Sequence, residues 1–252
     1  MKTITLSNQK GGVAKTTTAS ALAAGLVDRG FRVLAIDLDP QCNFCLSDGV
    51  DMLSVEKTLY HVFKGAASVD EIKIRTKFGY DLLPGGLDLA GADMEFTQMG
   101  REFMLSEALE SVQDAFDYCV IDTPPTLGIL TVNALTASDG LVVPMVADLY
   151  SLQGLSQLDG LIHNVRKRCN NGLQIYGLLL TKYNDRQNVS KALKDQIEAA
   201  AAQLGTKVFR TAIRESVAVK EAQLLQANIF VEAPKANATI DYNAFIDELI
   251  GG

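Results

Sequence analysis

Residues 8–17 read Asn8-Gln9-Lys10-Gly11-Gly12-Val13-Ala14-Lys15-Thr16-Thr17. They follow a short β-rich run, Thr3 to Leu6, and lead into an Ala/Leu-rich stretch, Lys15 to Arg29. A strand, a glycine loop and a helix in that order form the context of a phosphate cradle. The glycines let backbone N–H groups approach phosphate oxygens, and the helix adds its positive N-terminal dipole. Lys15 can reach the outer phosphates of a nucleotide, and the Thr16 hydroxyl can ligate Mg²⁺. The usual spacing G-x-x-x-x-G-K-[ST] is not met, because Gln9 and Ala14 stand at its glycine positions. The spacing that fits is K-G-G-x-x-K-[ST], with an additional lysine at Lys10. A Gly-Gly turn with two surface lysines is the plain alternative, but the full pattern in this setting is rare by chance.

Two further sites could serve the same chemistry. Phe31 to Ile36 is an apolar run that ends in Asp37-Leu38-Asp39-Pro40. Tyr118 to Ile121 is another, ending in Asp122-Thr123-Pro124-Pro125. Carboxylates at the C-terminal ends of buried strands lie on the edge where α/β sheets bind ligands. One can hold a Mg²⁺ shell and another can orient an attacking water. Taken singly, each serves equally well as a cap or turn residue. Three such strand ends in one chain make that reading poor.

The elements that must position these residues follow from the pattern. Gly140 to Met145 and Gln174 to Leu180 are further apolar strands, and Leu152 to Arg168 and Val189 to Leu204 read as helices. Continuous apolar strands alternating with helices indicate a parallel sheet covered on both faces. The expected fold is therefore α/β, a single-domain P-loop NTPase over residues 1–252, with a mostly parallel twisted sheet and helices on both faces. At 252 residues the chain can bury a sizeable core without staples.

Composition narrows the function. No apolar run approaches the roughly 20 residues of a membrane span, and the N-terminus lacks a cleavable signal pattern, which predicts a cytoplasmic protein. Of the four cysteines, only Cys42 and Cys45 are in C-x-x-C spacing, with no second pair for zinc. They read as reduced thiols, with redox sensitivity near the Asp39 loop a minor alternative. Net charge is −7, yet residues 160–220 hold eleven Lys/Arg against four Asp/Glu. A basic stretch on an acidic chain can bind phosphate locally if folding gathers it on one face.

At these residues the chain resembles the deviant Walker ATPases, and most closely the ParA/Soj family of DNA-partitioning ATPases. The likeness is carried by KGGVAKTT, VLAIDLDPQCN and CVIDTPPTLGILTVNAL, and by the later TKYNDR and IRES, so it covers nearly the whole chain. It implies ATP and Mg²⁺ as cofactors and a homodimer that sandwiches two ATP molecules. Lys10, Gly11, Gly12, Val13, Ala14, Lys15, Thr16 and Thr17 would bind nucleotide, and Asn184 would read the adenine edge. Lys10 would reach the partner's nucleotide. Lys10, Lys15 and Asp39 would be catalytic, Asp39 positioning the water. Thr16, Asp37 and Asp122 would serve Mg²⁺. Arg186 and Arg214, inside the basic stretch, would contact DNA without sequence preference. A ParB-like centromere-binding protein would stimulate a slow ATPase on the nucleoid, with no membrane partner.

Two departures stand out. Ala14 and Cys42 occupy places where relatives often carry glycine, and a strongly positive φ at Ala14 would cost energy. The alternative, a MinD-like ATPase positioning a protein or membrane cargo, calls for a basic amphipathic terminal helix. Residues 241–252 contain no Lys or Arg. An electron-transfer ATPase would need cluster-bridging cysteines after the central strands, and Cys42, Cys45 and Cys119 are not so placed. Nor does a scaffold with a relic site suit a chain holding every expected catalytic residue type.

Overall fold

The structure is a computed structural model that describes residues 1–184 and 188–251. Seven strands are present among them: β1 (Lys2–Leu6), β2 (Val33–Asp37), β3 (Ile74–Arg75), β4 (Asp81–Leu83), β5 (Tyr118–Asp122), β6 (Gly140–Met145) and β7 (Gln174–Leu180). They form one sheet in the order β3-β4-β2-β5-β1-β6-β7. Every neighbouring pair is parallel except β3 with β4 at the edge. This is the mostly parallel sheet expected from the sequence.

Side chains alternate between the two faces because the strand period is two. Val33, Ala35 and Val120 pack on one side with Leu22 and Leu26 of the helix Lys15–Asp28, and with Phe245 and Ile246 of the helix Asn237–Ile250. Leu34, Ile36, Cys119 and Ile121 face the opposite side, against Leu105, Leu109, Leu130 and Ala134. Beyond β1, Leu141, Val143, Leu178 and Leu180 meet Leu155, Leu158 and Ile162 of the helix Leu149–Arg168. Each fully buried Leu or Ile contributes roughly 1.5–3 kcal/mol, so these two-sided strands hold the sheet rigid. The first and last helices pack closely: a Cβ on Gly25 would fall 2.3 Å from Ile246 Cδ1.

Register brings the chemistry together. Leu6, the last residue of β1, pairs with Asp122, and Asp37 also pairs with Asp122. The loops after β1, β2 and β5 therefore emerge side by side. The chain leaves β1 toward β2 on one side of the sheet, while β6 and β7 lie on the other. That reversal is the crevice where open α/β sheets bind ligands.

The expected element ends shift by a few residues. Strand β2 starts at Val33, not Phe31, because Gly30 turns at φ +87° and the Arg32 N–H donates to Asp117 Oδ2 at 2.8 Å. The helix expected from Leu152 starts at Leu149, where Asp148 caps it by accepting from Ser151 N–H at 2.9 Å. Cys42, Cys45, Cys119 and Cys169 are free thiols. Burial pushes Cys42 up to about 11 and raises Cys45 and Cys119 further, which disfavours reactive thiolates there.

Candidate nucleotide site

The phosphate loop is pinned from beneath before it turns. Asn8 is buried, its Nδ2 donates to the Pro144 carbonyl at 2.8 Å, and its Oδ1 accepts from the Lys10 N–H at 2.9 Å. Val13 is fully buried, and its carbonyl accepts from Thr181 Oγ1 at 3.0 Å. The Thr181 N–H donates to the Met145 carbonyl at 2.8 Å, so the ends of β6 and β7 brace the loop. Between these anchors the backbone enters the left-handed region at Gly12 (φ +74°) and at Ala14 (φ +64°). Ala14 therefore bears the cost anticipated from its side chain, on the order of 1–2 kcal/mol for a non-glycine residue. Cys42 adopts the same region at φ +54°. Both departures from glycine thus sit at left-handed positions.

Lys15 opens the following helix and is buried, with Nζ donating to the Lys10 carbonyl at 3.2 Å. Burial lowers its pKa, and the nearby Asp122 and Asp39 carboxylates oppose that shift. The Thr16 hydroxyl donates to Asp122 Oδ2 at 2.6 Å. Asp122 is fully buried, and its Oδ1 has no hydrogen-bond partner among the described residues. Burial, reinforced by Asp37, drives its pKa well above the ordinary carboxylate range. An orphaned buried carboxylate oxygen beside a threonine hydroxyl is under-compensated, and a cation nearby would remove the penalty.

Asp37 is brought to the same row, but its oxygens serve the loop. Oδ1 accepts from the Asp39 N–H at 3.1 Å and Oδ2 from the Cys45 N–H at 3.0 Å. Burial pushes it up to about 6. Asp39 is placed by this contact, and its own Oδ1 accepts from Gln41 N–H at 3.0 Å. Gly85 closes over the same turn: a Cβ there would meet the Asp37 carbonyl oxygen at 2.5 Å.

A cavity of about 790 Å³ opens above these loops. Gly11, Gly12, Ala14, Lys15, Thr16, Thr17 and Asp39 line it. Val13, Asp37 and Asp122 lie beneath its surface, and Asn184 is exposed outside its lining. The opposite wall, not foreseen, is built by Ile213 to Ser216 and by the helix Val217–Leu224. Gln223 Nε2 fastens that helix to the first turn of the helix Lys15–Asp28 by donating to Thr17 Oγ1 at 3.0 Å. Lys182, also on the wall, has φ +50°.

Two expected contacts are differently occupied. Lys10 pairs with Asp148, whose other oxygen caps the next helix. Burial of Asp148 is outweighed by these hydrogen bonds, which hold its pKa below the usual range. Arg214 lines the cavity and grips Asp241 with both ends of its guanidinium, Nε to Oδ2 at 2.9 Å and Nη2 to Oδ1 at 2.7 Å. Arg186 lies outside the described residues. Neither Asp148 nor Asp241 is marked by a local pattern, because Lys10 lies 138 residues from the first and Arg214 lies 27 from the second.

Among the described residues no group of three or more His, Cys, Asp or Glu could cage a metal. Mg²⁺ does not require one, since it keeps waters and takes phosphate oxygens alongside one or two protein ligands. The Thr16 hydroxyl and Asp122 fit such a role.

A family model described as an AAA domain matches residues 1–175. The sporulation initiation inhibitor protein Soj of Bacillus subtilis (strain 168) is 40% identical over 243 residues, covering 96% of this chain and 95% of that protein. The chromosome partitioning protein ParA of Caulobacter vibrioides (strain NA1000 / CB15N) is 38% identical over 226 residues, 88% of this chain and 84% of that one. Among solved structures, cobyrinic acid a,c-diamide synthase from Mycobacterium smegmatis, with bound ATP analog and magnesium, superposes with TM-score 0.88 at 33% identity. That match covers 99% of this chain and 94% of the other.

Proposed function

We propose a nucleotide-driven switch for this chain, which belongs to the ParA/Soj family of partitioning ATPases. It binds ATP with Mg²⁺, pairs with a second copy, and in that state binds DNA without sequence preference. The observation that carries the reading is the junction at Thr16: a buried lysine, a hydroxyl and an orphaned carboxylate oxygen meet under one cavity.

In this reading Lys15 and the loop N–H groups hold the phosphates. Thr16 and Asp122 hold Mg²⁺, which spreads the charge of the phosphate oxygens. Asp37 serves the metal shell indirectly, by fixing the turn that carries Asp39. Asp39 orients the hydrolytic water. Lys10 exchanges Asp148 for the partner's nucleotide when two chains meet, and Asn184 approaches the base at the rim. The hydrolysis is slow alone and accelerated by a ParB-like DNA-bound partner, as partner-completed sites gain orders of magnitude. The whole chain acts as one domain on the nucleoid.

DNA contact is assigned to the basic stretch, with Arg186 the first cation to test. Arg214 contributes less directly while it grips Asp241. The helix Asn237–Ile250 packs its apolar face into the core through Phe245, Ile246 and Leu249, so this helix does not offer that face to a membrane. No helix among the described residues is long and apolar enough to cross a membrane.

Sedimentation velocity with Mg-ATP, Mg-ADP and no nucleotide tests the switch. A dimer with ATP alone supports it. A monomer in all three states, in protein that binds ATP, overturns it.

A further inference from the structure

The loop that follows Asp122 runs into the helix Ile129–Thr136. Its near end is sewn down by Thr123 Oγ1, which donates to the Leu6 carbonyl at 3.0 Å, and its far part is tied to the helix by Thr131 Oγ1, which donates to the Thr126 carbonyl at 2.6 Å. Pro125, at the middle of the loop, lines the nucleotide cavity. The position of the helix start therefore sets where this loop meets the cavity.

That helix start has no cap of its own, since Gly128 stands at the N-cap without a side chain. The missing acceptor comes from a remote segment. Asp93 Oδ1 accepts from the Ile129 N–H at 2.7 Å. A Cβ on Gly128 would fall 2.3 Å from Asp93 Oδ2, although Gly128 has φ −82°, which any residue adopts. Glycine is needed here for the carboxylate to sit against the backbone, not for conformation. A carboxylate at this end also suits the helix dipole.

The segment that carries Asp93 is itself fixed. Ala92 and Phe96 are buried, and the Phe96 ring meets Phe63 edge-on at 5.9 Å. A second tie lies one turn along the helix. Asn133 is fully buried, its Oδ1 accepts from Leu105 N–H at 3.0 Å, and its Nδ2 donates to the Arg101 carbonyl at 2.8 Å. The helix is thus clamped at two heights to residues 93–105.

We propose that Asp93 is a positioning residue for hydrolysis: its hydrogen bond to Ile129 keeps the Asp122–Gly128 loop in register with Thr16 and the cavity. This rests on the ATPase reading above. Asp93 lies outside the cavity lining, so it acts through the loop rather than on the nucleotide.

The test compares Asp93→Ala with Asp93→Asn in the full chain, by steady-state ATP hydrolysis, Mg-ATP binding and amide hydrogen exchange over residues 123–131. Asparagine keeps an oxygen that can accept from Ile129. Asp93→Ala should lower kcat about tenfold, the scale of a sub-ångström to 1 Å misplacement, with ATP affinity within about twofold. Exchange over residues 126–130 should quicken in Asp93→Ala and stay slow in Asp93→Asn, whose kcat should remain within about threefold of the parent. Unchanged kcat and exchange in Asp93→Ala would overturn the proposal, as would equal loss in the two variants. If the parent hydrolyses no ATP, the ATPase reading fails on its own. The exchange comparison then decides whether Asp93 holds the loop.

Discussion

The two lysines of the phosphate loop should fail in different ways when removed. Lys15 is buried, 7% exposed, at the cavity floor, and its ammonium has already given up most of its water. Two charge-assisted contacts to phosphate oxygens contribute about 1.5–3 kcal/mol each. Lys15→Ala should therefore cost about 3–6 kcal/mol of ATP binding, a loss of roughly two to four orders of magnitude. Lys10 differs: its side chain is 30% exposed and pairs with an Asp148 that is 32% exposed. A pair so open to solvent is screened and contributes only about 0–1 kcal/mol. Lys10→Ala should then leave ATP affinity of the single chain within about fivefold. Its loss should appear in ATP-dependent dimerisation or in hydrolysis. Titration calorimetry with a non-hydrolysable Mg-ATP analogue gives the affinities, and sedimentation velocity gives the dimer. Equal loss of nucleotide affinity in both variants would refute the division of labour.

Other perturbations probe the frame around the site. Gly85→Ala would drive a methyl group into the Asp37 carbonyl at 2.5 Å, so it should cost about 2–3 kcal/mol and slow hydrolysis, measured by denaturant melts and turnover. Ala14→Gly relieves about 1 kcal/mol of left-handed strain but frees the unfolded chain by a similar amount, so thermal stability should stay nearly unchanged. Asp48 is buried beside Tyr80 and Ser20, and burial pushes its carboxyl from 3.8 up to about 7. The raised value means the folded state favours the protonated form. That contribution is complete below about pH 4 and is lost as pH rises through about 7, at most about 4 kcal/mol. Asp48→Asn should flatten the fall in melting temperature between pH 4 and 8, and parallel curves would reject the assignment.

What the sequence discloses tracks how local each feature is. The phosphate loop is contiguous, so Lys15 and Thr16 could be read directly and were found together beneath one cavity. Asp37, Asp39 and Asp122 were legible because apolar strands end at them, and parallel register then aligned Asp37 with Asp122. Strands β3 and β4 were not, since two- and three-residue strands carry no apolar run. The cavity's far wall was missed for a different reason. Its helix Val217–Leu224 is joined to Thr17 by a hydrogen bond spanning 206 residues, which no local pattern encodes. Arg214 shows the same limit from the other side: a charge count cannot foresee that Asp241 will take its guanidinium. Asp93 carries no local signature because it caps a helix 36 residues away, whose own N-cap position is held by Gly128.

Binding to random-sequence duplex DNA, with ATP, with ADP and without nucleotide over a salt series, separates a nucleotide-driven switch to DNA from an ATPase with other cargo. Binding should require ATP, fall steeply with salt as phosphate contacts release counterions, and weaken in Arg186→Glu. No binding in any nucleotide state, by protein that demonstrably binds ATP, would contradict the switch to DNA and leave an ATPase acting on other cargo.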